Sequence, residues 1–165
     1  MIHQVQAARY WDQGEDDRDF KYNNYLSRYH SRHLDLMALL SLYNGRANAP
    51  LDELSKLCGF PGKLGMDGSQ VWPAWREGRI DEIRAYCETD VANTYLVFLR
   101  FQRLRGALDE AQYQKEGDLV RTTLAQTGEA HSQSGEARSQ SGEARSQSGE
   151  ARSHWAEYLA AWGAH

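Results

Sequence analysis

The stretch Tyr86-Cys87-Glu88-Thr89-Asp90-Val91-Ala92-Asn93-Thr94-Tyr95 decides how the rest of the chain is read. It lies inside a longer run, Arg79 to about Arg105, in which Ile80, Ile83, Cys87, Val91, Thr94, Tyr95 and Phe98 recur at helical spacing. The spacing predicts the longest helical region of the chain, with those residues as its buried face. On such a helix Tyr86 and Asp90 stand on one face, one turn apart. A carboxylate beside a phenol suits metal-assisted hydrolysis of a phosphodiester. The carboxylate holds a divalent ion through oxygen, and the phenol orients the attacking water. The metal lowers the pKa of that water and neutralises charge on the leaving oxygen. The pair alone is an ordinary spacing, and a packed tyrosine beside a partly exposed aspartate is the better explanation of it taken by itself.

Working outward, His33-Leu34-Asp35-Leu36-Met37, followed by Leu39, Leu40 and Leu42, reads as a short strand entering a helix. Asp35 sits where a carboxylate caps free N–H groups. Pro50 is placed for the first turn of a helix carrying Leu51, Leu54 and Leu57. Gly59 to Gly68 holds four glycines and a proline and reads as an irregular loop. Val71 to Glu77 reads as a short helix bearing Trp72 and Trp75. Ala107 to Gln126 is weakly amphipathic. Tyr10 to Asp19 is polar and acidic, as a surface loop would be.

In this setting the stretch from Tyr86 to Tyr95 resembles the third motif of DEDD-type 3′–5′ exonucleases, in the variety that carries tyrosine. His33–Met37 looks like the strand-to-helix segment of that family, and Pro50–Phe60 like its following short helix. Phe60-Pro61-Gly62-Lys63-Leu64-Gly65-Met66-Asp67-Gly68 narrows the match. It resembles bacterial predicted 3′–5′ exonucleases related to the exonuclease domain of family-B DNA polymerases. The similarity runs from about Arg9 to Gly106 and resumes at His154–Trp162. The resemblance implies a DnaQ-like, ribonuclease H-like α/β fold in the complete family, of which this chain would be a mostly helical portion with few or no strands. It implies hydrolysis of DNA at the 3′ end, on a single strand, with two Mg2+ or Mn2+ ions. Asp90 matches the metal-binding aspartate of the motif, and Tyr86 its water-orienting tyrosine.

Two other motifs of that family have no counterpart in the 165 residues. One is an Asp-x-Glu pair on the first strand. The other is an aspartate in an Asn-Gly-x-x-Phe-Asp-like segment. Three of the four metal carboxylates are therefore missing, and Asp90 alone is a weak hold for an ion that needs several. Asp16, Asp17 and Asp19 cluster in the acidic loop and read as solvated rather than as substitutes. The sequence thus predicts the C-terminal part of an exonuclease, inactive alone and in need of a separately encoded N-terminal half. The alternative is a non-catalytic remnant that binds nucleic acid or protein.

The remainder of the chain qualifies this. Nineteen Lys and Arg against 23 Asp and Glu give a net charge of −4, which excludes a wholly basic nucleic-acid binder but not a local basic groove. No run is long enough for a transmembrane helix, the N-terminus lacks a signal-peptide core, and two cysteines, Cys58 and Cys87, form no CxxC. A reducing cytoplasm is the expected location. Gly-Glu-Ala-(His/Arg)-Ser starts at Gly128, Gly135, Gly142 and Gly149, a period of seven. Each unit offers one alanine where a coiled coil needs two apolar positions, so the tract reads as a disordered linker produced by tandem expansion. Beyond it Trp155, Tyr158, Leu159 and Trp162 share one helix face, expected to dock on its own domain, with a partner-binding helix as the alternative. The expected organisation is residues 1–127 as the exonuclease portion, 128–153 as the linker and 154–165 as an amphipathic helix. Cys58 and Cys87 read as small core residues. Trp72, Trp75, Tyr22, Tyr25 and Tyr29 have the chemistry to stack on bases, but packing is the favoured use of most.

Overall fold

The structure, a computed structural model, describes residues 34–140 and 153–163. Among these, the backbone forms helices α1 (Leu36–Leu40), α2 (Leu51–Leu57), α3 (Val71–Arg76), α4 (Ile80–Leu104), α5 (Glu110–Gln140) and α6 (Ser153–Gly163). Short 3-10 turns occupy Gly45–Ala47 and Gly68–Gln70. No strand occurs among the described residues. The chain divides into two units between Ala49 and Pro50.

In the first unit, the expected strand before the helix is not seen: Leu34 and Asp35 are irregular, and His33 lies outside the described residues. Asp35 acts as the sequence suggests. Its backbone is extended, and its Oδ1 accepts the Ala38 N–H at 2.9 Å, closing the start of α1. Leu42 and Tyr43 follow with φ of 53° and 59°, a left-handed pair that ends the helical direction.

The second unit is built on α4. Its buried side consists of Thr89, Ala92, Asn93, Leu96, Val97 and Leu99. This differs from the face the sequence suggests. Ile80, Val91 and Tyr95 are exposed, as are Cys87 and Thr94, while Ile83 and Phe98 are half-buried. The reason is that Thr89 and Asn93 are polar by type yet internally satisfied. Thr89 Oγ1 donates to backbone carbonyls one turn back, and Asn93 is hydrogen-bonded across the fold. A helix with apolar residues on more than one side is turned by where its neighbours lie. Cys58 is only half-buried and Cys87 is exposed, so neither is a full core residue.

Helix α6 packs its aromatic face inward. Trp155, Tyr158 and Trp162 are all buried. Trp162 meets Phe60 edge-on at 5.9 Å, and Arg121 of α5 lies 4.3 Å over the Trp162 ring. Helix α5 is tied to α4 by Tyr95 Oη donating to Glu116 at 3.2 Å and by an Arg103–Glu110 ion pair.

Helix α5 continues past Gly128 to Gln140, so the opening of the repeat is helical. The linker reading weighed Gly and Ser. Over this span the strong helix formers Glu, Ala, Gln and Arg outweigh them, and the helix extends from a formed nucleus. Residues 141–152 of the tract lie outside the described residues. A methyl group at Gly128 would lie 3.5 Å from Trp155 Cβ, so α5 and α6 touch at this point. Deleting residues 132–153 leaves a connection of a length that short helix hairpins use. The expected result is an unchanged melting temperature. A fall of several degrees would show that the tract supports the fold.

Candidate functional site

The site is assembled on the first half of α4 by the loop between α2 and α3. Tyr86 and Asp90 are both half-buried on one face of α4. Burial pushes the Tyr86 hydroxyl above its ordinary pKa, and the negative charge of the adjacent Asp90 carboxylate adds to this. The hydroxyl is therefore a neutral phenol at physiological pH. Asp90 Oδ1 is buried and has no hydrogen-bond partner. A buried carboxylate oxygen is costly unless a hydrogen-bond donor or a cation meets it.

The loop comes to this pair through two anchors. From α4, Asn93 presents its whole amide to Gly62. Its Nδ2 donates to the Gly62 carbonyl at 2.8 Å, and its Oδ1 accepts the Gly62 N–H at 3.3 Å. From α2, Asp52 Oδ1 accepts the Lys63 N–H at 2.7 Å, and Oδ2 accepts from Lys56 Nζ at 2.8 Å. The Lys56 ammonium, then the Lys63 N–H, hold the Asp52 carboxyl below the usual range. Gly62 has φ of +73°, and a methyl group there would lie 2.4 Å from Asp52 Oδ1. Only glycine fits between the anchors. So held, the loop places Lys63 Nζ 5.9 Å from the centroid of the Tyr86 ring. It also carries Gly68 to the tyrosine tip, where a methyl group would sit 3.6 Å from Tyr86 Oη.

Asn93 also ties the terminal helix to this arrangement. Tyr158 Oη donates to Asn93 Oδ1 at 2.8 Å, in a fully buried contact. Burial raises the Tyr158 pKa, keeping it a donor. His154 Nε2 lies 3.1 Å from Glu88 Oε2, two residues before Asp90. The helix beyond the repeat thus supports the helix that carries the candidate pair.

Among the described residues no group of three or more His, Cys, Asp or Glu is arranged to hold a metal ion. Asp90 Oδ1 fits as one anionic oxygen ligand of a hard divalent cation. With no such group of three or more, the described residues do not complete a two-metal site. Asp16, Asp17 and Asp19, with His30, His33, Tyr22, Tyr25 and Tyr29, lie outside the described residues.

The structure brings Tyr86 and Asp90 together as their spacing requires. Sequence reasoning missed the positioning residues Asn93, Asp52 and Gly62. A usable signal existed in the glycine-proline loop, since a glycine flanked by Pro61 and Lys63 marks a backbone conformation that other residues resist.

The model of a family described as predicted 3′–5′ exonuclease related to the exonuclease domain of PolB matches residues 1–162. No curated protein and no solved structure matches the chain.

Proposed function

The chain belongs to the family of predicted 3′–5′ exonucleases related to the exonuclease domain of PolB, and from that premise we propose that Tyr86 and Asp90 are its contribution to a centre hydrolysing phosphodiesters at the 3′ end of DNA. The observation that carries this reading is the unpartnered, buried Asp90 Oδ1 beside a neutral Tyr86 phenol. Asp90 would hold Mg2+ or Mn2+ through that oxygen. When bound, such an ion supplies Lewis-acid stabilisation of phosphate oxygens and a water of lowered pKa.

The work of this chain's own residues follows from their chemistry. Tyr86 has one O–H to donate and lone pairs to accept. With its pKa raised, it orients a water rather than deprotonating it. Lys63, beside the ring, places positive charge where a substrate phosphate would approach. Asn93 and Asp52 fix the loop, so Lys63 and Gly68 stay in place around the hydroxyl. The remaining acids of the centre belong to the two motifs that these 165 residues lack. The reading therefore includes inactivity of these residues by themselves, and activity when the Asp-x-Glu and Phe-Asp segments are supplied.

The test uses 3′-labelled single-stranded DNA with Mg2+ or Mn2+. The purified chain is expected not to shorten it, and addition of a polypeptide carrying the missing motifs is expected to start shortening. In the reconstituted assay Tyr86→Phe should cost about 100-fold through loss of positioning, and Asp90→Asn at least as much. Robust nuclease activity of the chain alone that vanishes in Asp90→Ala would overturn the dependence on missing motifs. No activity under reconstitution, with binding of DNA intact, would favour the second reading, a non-catalytic binding module. No described helix is long and apolar enough to cross a membrane.

A further inference from the structure

Two tryptophans on α3 do not pack into the fold. Trp72 is 64% exposed and Trp75 56% exposed. Their rings stack on each other at 5.0 Å between centroids, with planes only 22° apart. Large aromatic side chains usually find burial, so a stacked pair left in water is a surface with a use. It is also a fixed surface. Ala74, between the two, is completely buried, which seats α3 with the tryptophans outward. The turn that leads into α3 is closed by a reciprocal cap. Asp67 Oδ1 accepts the Ser69 N–H at 2.7 Å, and Gln70 Oε1 accepts the Asp67 N–H at 2.9 Å.

That same turn touches the candidate site. Gly68, beside the Tyr86 hydroxyl, stands four residues before Trp72 on a continuous helical path, about 6–8 Å of rise. The cations of this segment differ in availability. Arg79 is paired with Glu77 and Glu82. Among the described residues, neither Lys63 nor Arg76 has a carboxylate within ion-pair distance. The polar Ser69, Gln70, Arg76 and Glu77 flank the tryptophans and are exposed. A flat aromatic face with Arg76 next to it in the chain, and Lys63 at the neighbouring Tyr86 ring, suits planar bases on a phosphate backbone.

We propose that Trp72 and Trp75 form a stacking platform for unpaired bases of a single nucleic-acid strand, adjoining the Tyr86–Asp90 pair at which the strand's 3′ end is held. This rests on the exonuclease reading and deepens it: the platform is a binding element, separate from the catalytic pair. Stacking on aromatic rings is indifferent to base identity because every base has a flat face. The platform therefore takes any sequence but requires unpaired bases.

The test titrates the full 165-residue chain with a short poly-dT oligonucleotide and, separately, with a duplex of the same length. Tryptophan fluorescence and anisotropy of a labelled strand are read together. Poly-dT is expected to bind in preference to the duplex and to quench tryptophan emission. Trp72→Leu with Trp75→Leu should weaken binding by about ten-fold or more, and Trp72→Phe with Trp75→Phe should restore much of it. Both positions are exposed, so circular dichroism and melting should match wild type. Strand binding by the wild type that is unchanged in the leucine variant overturns the platform and leaves the exonuclease reading standing. Equal affinity of leucine and phenylalanine variants, both weakened, also overturns stacking. A wild type that binds no strand overturns the nucleic-acid reading itself, and the platform with it.

Discussion

Removing residues 153–165 is expected to abolish cooperative unfolding of the part from Pro50 onward. This short helix contributes Trp155, Tyr158 and Trp162 to a core otherwise made of Phe60, Ala74, Ala92, Leu96, Val97 and Leu99. Burying one large side chain stabilises by roughly 2–3 kcal/mol. Three together approach the whole stability of an ordinary domain, about 5–15 kcal/mol. The loss is not only apolar. Without Tyr158, Asn93 Oδ1 loses its strongest donor, the 2.8 Å phenol, and keeps only the 3.3 Å contact to Gly62. Phe60 loses the Trp162 edge and Arg121 the ring beneath it. Urea unfolding followed by circular dichroism checks this. A truncated chain with a sigmoidal transition near the wild-type midpoint would show that α6 is an accessory. Trp162→Ala offers a graded version, expected to cost about 3–5 kcal/mol.

The second large effect is expected from Gly62→Ala, a change of one methyl group. The backbone at Gly62 has φ of +73°, which costs an L-residue about 1–2 kcal/mol. The added methyl would also meet Asp52 Oδ1 at 2.4 Å. Asp52 must then withdraw, giving up the Lys63 N–H and exposing that donor to partial burial without a partner, a further 1–3 kcal/mol or so. The sum is about 3 kcal/mol. A double-mutant cycle isolates the cause. In an Asp52→Ala background the closest clash is gone, leaving only the flexible Lys56 side chain at 3.1 Å, so Gly62→Ala should cost distinctly less, with a coupling of about 1–2 kcal/mol. Additive losses would mean that the loop is held by something other than the Asp52 anchor.

These two effects also show what could be read from the chain and what could not. The Tyr86–Asp90 pairing was legible because it depends only on helical geometry over four residues. The start of α2 after Pro50 and the aromatic face of α6 were legible for the same reason. The rotation of α4 was not. It is decided by Asn93, whose partners Gly62 and Tyr158 lie 31 and 65 residues away, and periodicity counts asparagine as an outward residue. The anchors of the loop escaped for the same non-local reason: nothing in Pro50–Phe60 alone says that Asp52 will receive the Lys63 N–H. The sequence marked Trp72 and Trp75 correctly as helical but favoured packing for them, because burial is the usual fate of tryptophan. Their exposure comes from the small residue between them, Ala74, which takes the inward position.

The contact between Gly128 and Trp155 has a consequence for how this chain tolerates change over generations. The two ends of the repeat tract are pinned together by the docking of α6, whatever lies between. A seven-residue unit gained or lost keeps the reading frame and alters only the length of an excursion whose endpoints are already fixed. For a flexible connection of this size the closure entropy changes by only a few tenths of a kcal/mol (~0.2–0.4) per seven-residue unit added, far below what α6 contributes. Copy number is therefore expected to change without a penalty in folding, and variants of unequal length should share one melting behaviour.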